Sequence, residues 1–254
     1  KNKVLEVGVD GRPIYGSAAN ANNAFITKPG YPIASFYGYK YIGVFQSEEE
    51  LAKYPHLSGD KVGDGRYEDV NKDGVLDQND KTILGDNNPL FTAGFSNSFS
   101  YKNFTLDIQF TGSYGAEVFS FYKRMCGIYH GDRNGMIEQL GRWQSKDQPG
   151  DGIHFRPTRT PSGWQRDPSS AWVQDASYLR LRNLTLGYNF DQKVLDKMKM
   201  KGLRLYVTGQ NLFTITNYVG YDPETSSESG LAQGGDYLGY PAARSFIIGA
   251  NITF

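Results

Sequence analysis

The sequence predicts an all-β chain built from antiparallel strands of a membrane barrel, and three observations predict it. Aromatic residues reach 14% (18 Tyr and 15 Phe) beside 30 Gly, while the hydrophobic fraction is only 39%. That mixture suits short strands and glycine-containing turns better than helices. Apolar and polar residues alternate in several runs with the period of two that a strand requires. Short and long connections between these runs also alternate, as periplasmic turns and extracellular loops do in membrane barrels.

Taken in order, the chain through about Gln46 is rich in Gly, Asn and Ala and passes through the aromatic run Tyr31 to Phe45. It reads as irregular structure with one or two short strands. Ser47 followed by Glu48, Glu49, Glu50, Leu51 and Ala52 fits a short helix, with Ser47 as N-cap and acids in the first turn. A turn-rich break follows at Gly85-Asp-Asn-Asn-Pro89. From Phe95 the pattern changes. Aromatics alternate with serines up to Tyr101, and after Lys102-Asn103 the residues Phe104, Leu106, Ile108, Phe110 and Tyr114 share one face, with Thr105, Asp107, Gln109, Thr111 and Ser113 on the other. Two such runs about a tight turn make a hairpin.

A long loop, about 115–177, leads to the strand Tyr178–Phe190, in which Leu184, Leu186, Tyr188 and Phe190 oppose Thr185, Gly187 and Asn189. Simple alternation puts Arg180 and Arg182 on the Leu184 face, toward its outer end. After a charged connector, Leu203, Leu205 and Val207 alternate with Arg204, Tyr206 and Thr208; a second long loop, about 214–244, precedes Ser245–Phe254. There Phe246, Ile248, Ala250, Ile252 and Phe254 form one apolar row running to an aromatic residue. On an edge in water such a row invites aggregation, whereas a barrel in lipid pairs the edge and gives the row hydrocarbon. The expected division is an external loop region over 1–92 and barrel strands over 93–254, with the apolar rows toward lipid and Thr105, Asp107, Gln109, Thr185, Thr208 and Asn251 toward the lumen.

Composition excludes several classes. The 27 basic and 27 acidic residues cancel, and without a basic run there is no footprint for nucleic acid. The single Cys126 cannot form an internal disulfide, and His56, His130 and His154 are too dispersed for a zinc cluster. No apolar run reaches the roughly 18 residues of a membrane helix, and no signal peptide opens the chain. The mean hydropathy of -0.53 does not separate soluble proteins from barrels, whose strands are half polar. Acidic residues are scattered without a recognisable catalytic pair, so no enzyme is expected.

One motif carries ligand chemistry. In Asp69 to Asp80, oxygen-bearing side chains stand at loop positions one, three, five, nine and twelve (Asp69, Asn71, Asp73, Asp77, Asp80), with Gly74 at the sharp turn and the Val75 carbonyl at position seven. This is the register of a calcium-binding EF-hand loop, except that Asp80 replaces the usual glutamate. The competing reading is a solvated Asp/Asn/Gly turn; six positions in register favour structural Ca2+. Tyr129, Trp143, Trp164 and Trp172 could stack on sugar rings or line a partner interface, although packing within the loop is the more ordinary role.

The segments Gly30–Tyr39, Tyr67–Gly74, Gly85–Pro89, Tyr178–Tyr188 and Thr208–Phe213, in this order and spacing, resemble the closing segments of SusC/RagA-like TonB-dependent outer-membrane transporters of Bacteroidetes. The resemblance implies a 22-stranded barrel with a plug, capped by a SusD-like surface lipoprotein and energised by TonB, which imports oligosaccharides or oligopeptides; this chain would be its C-terminal portion, with loops outside the cell. About five strands are too few to close around a plugged lumen. The alternative is a secreted calcium-binding β-module, an adhesin or carbohydrate-binding domain.

Overall fold

The computed structural model of the chain describes residues 2–8, 10–18, 21–127, 134–157, 168–225 and 229–254. In order, the elements are β1 (Ile14–Ala18), β2 (Ala21–Thr27), β3 (Ser35–Gly38), β4 (Tyr41–Val44), α1 (Glu48–Lys53), β5 (Gly65–Tyr67), β6 (Thr82–Gly85), β7 (Phe91–Tyr101), β8 (Phe104–Tyr114), β9 (Glu117–Ser120), α2 (Phe121–Cys126), β10 (Val173–Asp175), β11 (Tyr178–Asn189), α3 (Gln192–Met198), β12 (Gly202–Thr216), β13 (Gly235–Asp236) and β14 (Ser245–Thr253). Among the described residues no helix is long and apolar enough to cross a membrane. The chain forms two compact units, each assembled from separated stretches of sequence.

The first unit comprises Lys1–Asn88, Glu117–Gln174 and Glu224–Gly239. It contains the sheets β1-β2-β3-β6 and β10-β9-β13 and the pair β4-β5. The first 46 residues, expected to hold one or two strands, hold four among the described residues. Their signal is hidden because β2 buries Ala24, Phe25, Ile26 and Thr27 in succession, so period two is absent. The core is aromatic: Phe25, Phe36, Phe119 and Phe121 have no exposed surface and meet edge to face or tilted, from 5.3 Å for Phe119–Phe121 to 6.2 Å for Phe36–Phe119, as ring quadrupoles prefer. α1 begins as expected, the Ser47 hydroxyl accepting the Glu50 N–H at 3.2 Å. Elsewhere, buried Asp64 receives two bonds from Arg156, at 2.7 and 3.2 Å.

The second unit, Pro89–Ala116, Asp175–Pro223 and Tyr240–Phe254, is one antiparallel sheet in the order β14-β12-β11-β8-β7. The β7–β8 hairpin turns on Lys102-Asn103, with Lys102 in the left-handed region (φ +52°). The charged connector after β11 folds as α3, which buries Leu195 and ends on Lys199 at φ +55°, a place glycine more often takes. β12 continues to Thr216, beyond the point where periodicity placed a loop.

A β-bulge decides which way the strand ends face. Leu181 pairs with Phe110 but Asn183 with Gln109, so Arg182 is an extra residue in β11. The bulge shifts alternation by one, and Leu179 and Leu181 continue the row of Leu184, Leu186 and Tyr188. Arg180 consequently stands level with Thr111 and Thr214 on the polar face. Its expected place beside Leu184 is wrong, because plain alternation cannot anticipate an inserted residue.

Much of the apolar face is exposed. Phe104 is 51% exposed, Val207 48% and Ile248 83%. Aliphatic Leu106, Ile108, Leu184, Leu186, Leu205, Val207 and Ile248 occupy its middle. At one end Phe91 stacks on Tyr114 at 5.5 Å; at the other Tyr188 contacts Phe104 at 4.9 Å and Phe190 at 5.0 Å. Between the aromatic rows lie about ten residues of strand, which at the tilt usual in a membrane barrel would span roughly 25 Å, the height of such a barrel's apolar band.

Candidate functional site

The polar face of the five-stranded unit is bonded across its strands. The Ser98 hydroxyl donates to Asp107 at 2.6 Å, and the Thr185 and Thr208 hydroxyls share a bond of 2.7 Å. Arg204 reaches Thr105 at 3.2 Å and lies 3.7 Å from Asp107, while Arg182 donates to Thr111 at 3.0 Å. Gly187 makes room for this arrangement, since a Cβ there would come within 2.8 Å of Arg204 Nε. Asp107, expected as a solvated residue, is therefore also an ion-pair partner. Hydroxyls, amides and guanidinium groups of this kind can line a solvated passage.

At the end of this face Arg180, 3% exposed, donates to Thr214 at 2.8 Å and to Asp222 at 2.5 Å. The other Asp222 oxygen accepts the Ala242 N–H at 2.9 Å. One buried carboxylate thus fastens both ends of the second long loop to β11. Sequence reasoning missed the pair because the bulge that turns Arg180 inward leaves no compositional trace. A cleft of about 290 Å³ lies here, lined by residues that include Arg180, Asn211, Tyr221, Asp222 and Arg244.

In the Asp69–Asp80 loop, Gly74 turns at φ +85° and Leu76 packs with Tyr39 and Tyr67. Asp69 accepts the N–H groups of Lys72 and Gly74, at 2.6 and 2.8 Å. Asp80, with no exposed surface, accepts from Val70 at 2.9 Å, Asn71 at 3.4 Å and Asp77 at 2.8 Å. Asn71 and Asp73 bond to each other, and Asp77 receives the N–H of Asn79 at 2.7 Å. The donor set has the hard oxygens calcium requires, and Val75 is exposed. Among the described residues, however, no three His, Cys, Asp or Glu side chains are gathered as they would be around an ion. Asp69, Asp73 and Asp77 accept backbone N–H groups, which leaves further lone pairs on each carboxylate for an ion.

The loop aromatics divide. Trp172 is buried against Phe155, with centroids 6.0 Å apart, and Trp143 packs against the core on Gly63. Tyr129, Trp164 and His130 lie outside the described residues. His56 meets Phe45 edge-on, and the His154 ring lies 2.5 Å from Asp151. Burial, with Asp151 nearby, pushes the Tyr41 hydroxyl well above the ordinary phenol range, and burial lowers the Lys123 ammonium. Cys126 forms no disulfide.

No family model matches the chain. It is similar along its whole length to TonB-dependent receptor P3 of Formosa agariphila, 34% identical and covering 26% of that protein. Receptor P26 of the same organism is 32% identical, again over all of this chain and 26% of the relative. TonB-dependent receptor SusC of Bacteroides thetaiotaomicron is 26% identical over 94% of this chain and 21% of its own length. The RagAB peptide importer in its open-open state superposes with a TM-score of 0.70 at 22% identity, covering 99% of this chain and 25% of the other. The chain spans about a quarter of the length of these relatives.

Proposed function

We propose that the chain is a barrel and loop segment of an outer-membrane nutrient importer, a reading supported by its similarity to about a quarter of the length of TonB-dependent receptors and by the β-barrel fold it shares with the RagAB importer. The observation that carries the reading is the sheet itself, with one largely exposed apolar face between aromatic rows and one hydrogen-bonded polar face. In lipid the first meets hydrocarbon and the second lines a wet lumen. β7 and β14 are the two edges of this sheet, and the remaining strands of the barrel would pair with them.

On this reading the intact receptor works with a SusD-like surface lipoprotein, draws energy through TonB and takes up oligosaccharides or oligopeptides, its long loops facing outward. No step of covalent chemistry is assigned to it. The Asp69–Asp80 loop binds calcium as a structural clamp of the external region, supported by its sequence register. A secreted calcium-binding module would explain that loop, but it would leave the nine-residue edge strand β14, with Phe246 and Ile248, in water.

The experiment is to express the intact receptor with an affinity tag in its own outer membrane. The reading expects a heat-modifiable barrel that co-purifies with a SusD-like lipoprotein and supports uptake only when TonB is present. A protein found free in the medium, or uptake indifferent to loss of TonB, would refute it.

A further inference from the structure

We infer that the cleft at the polar end of the five-stranded unit is a subsite for an anionic group, a carboxylate or sulfate carried beside a ring or apolar surface, with Arg244 as the residue that binds it. As a ligand subsite it rests on the importer reading.

Charge is the first argument. The Arg180 guanidinium is committed to Asp222 and Thr214, so Asp222, the acid in the lining, is already neutralised. Arg244 shares the cleft, and among the described residues it has no ion-pair partner. The cleft therefore carries an uncompensated positive charge. Arginine offers a planar fork of donors that fits carboxylate or sulfate oxygens in pairs.

Construction is the second. Ala242 is held by Asp222 through its N–H, and Ala243 accepts from the Asn211 amide at 3.1 Å. Asn211 sits in the left-handed region at φ +51°. Two consecutive residues before Arg244 are thus pinned to different segments, and Pro223 and Pro241 stiffen the walls. A side chain delivered from a fixed backbone loses less freedom on binding. Tyr221, 64% exposed, supplies the ring surface that favours an anion on a sugar or aromatic frame over a bare inorganic ion.

The test uses the intact receptor in detergent and saturation-transfer NMR with three probes: glucuronate, glucose 6-sulfate and glucuronamide. Signals from an anion but not from the amide are expected, the stronger of the two anions identifying the group preferred. Arg244→Ala should cut the anion signal at least fivefold and Arg244→Lys should restore part of it, both variants remaining heat-modifiable. Equal signals for amide and anions, no signal from the wild type, or an undiminished Arg244→Ala signal would each overturn the proposal. Binding is read without transport, so a receptor that passes here yet shows no TonB-dependent uptake faults the importer reading and leaves the anion site standing.

Discussion

Arg180 and Asp222 form a buried ion pair of 2.5 Å, between a strand residue that a β-bulge turns onto the polar face and a loop residue that also holds the Ala242 N–H. Removing one partner leaves the other charged, desolvated and alone, at a cost of about 3 to 5 kcal/mol. Asp222→Ala should therefore free the 217–223 and 240–244 segments, seen as faster proteolysis of the loop in an otherwise heat-modifiable barrel. The double variant Arg180→Met/Asp222→Ala should recover part of the loss. Equal resistance in wild type and Asp222→Ala would show that the pair does not fasten the loop.

Calcium should bind the 69–80 loop and stiffen it. Equilibrium dialysis with radioactive calcium on the intact receptor should find a site that Asp73→Ala weakens by tenfold or more. Asp73 suits the purpose because its contacts are local, to Asn71 and Val75, whereas Asp80 is needed for the loop's own fold. If chelation leaves proteolysis of the loop unchanged and Asp73→Ala binds as the wild type does, the loop is a turn without metal.

Acid should loosen the 150–156 turn. Burial alone would raise the Asp151 carboxyl, but N–H bonds from His154 and Ile153, with the His154 ring, together hold it below the usual range. A carboxyl lowered by folding stabilises above its unfolded value, near 4, and that contribution is lost as pH falls through the folded value. Hydrogen exchange in this segment, corrected for intrinsic rate, should accelerate in acid in the wild type. Asp151→Asn should remove the dependence; a wild type with flat protection across the acid range contradicts the assignment.

The sheet was legible in the sequence wherever one side of a strand differs from the other. Phe104 to Tyr114 and Leu203 to Val207 alternate cleanly because each face meets a single environment, and the same rule gave the β7–β8 hairpin. It failed where that condition fails. β2 buries successive residues in an aromatic core, α3 is too short to show a helical period, and Arg182 is inserted without a marker. In the 69–80 loop the turn at Gly74 and the packing of Leu76 follow from local spacing, while the Arg180–Asp222 pair depends on a long-range closure of 42 residues that no local pattern encodes.

The central claim, that the two faces of this sheet meet lipid and water, is tested most directly at two residues of β14. Ile248 stands beside Val207 on the apolar face and Asn251 beside Arg204 on the polar one. In the intact receptor, Ile248→Arg places a cation near the middle of the bilayer, at roughly 2 to 4 kcal/mol, whereas Asn251→Lys is solvated. The measurement is the amount of heat-modifiable receptor recovered from the outer membrane. A marked fall for Ile248→Arg with Asn251→Lys near wild type is the predicted result; equal recovery of the two variants would contradict the assignment of faces and with it the barrel.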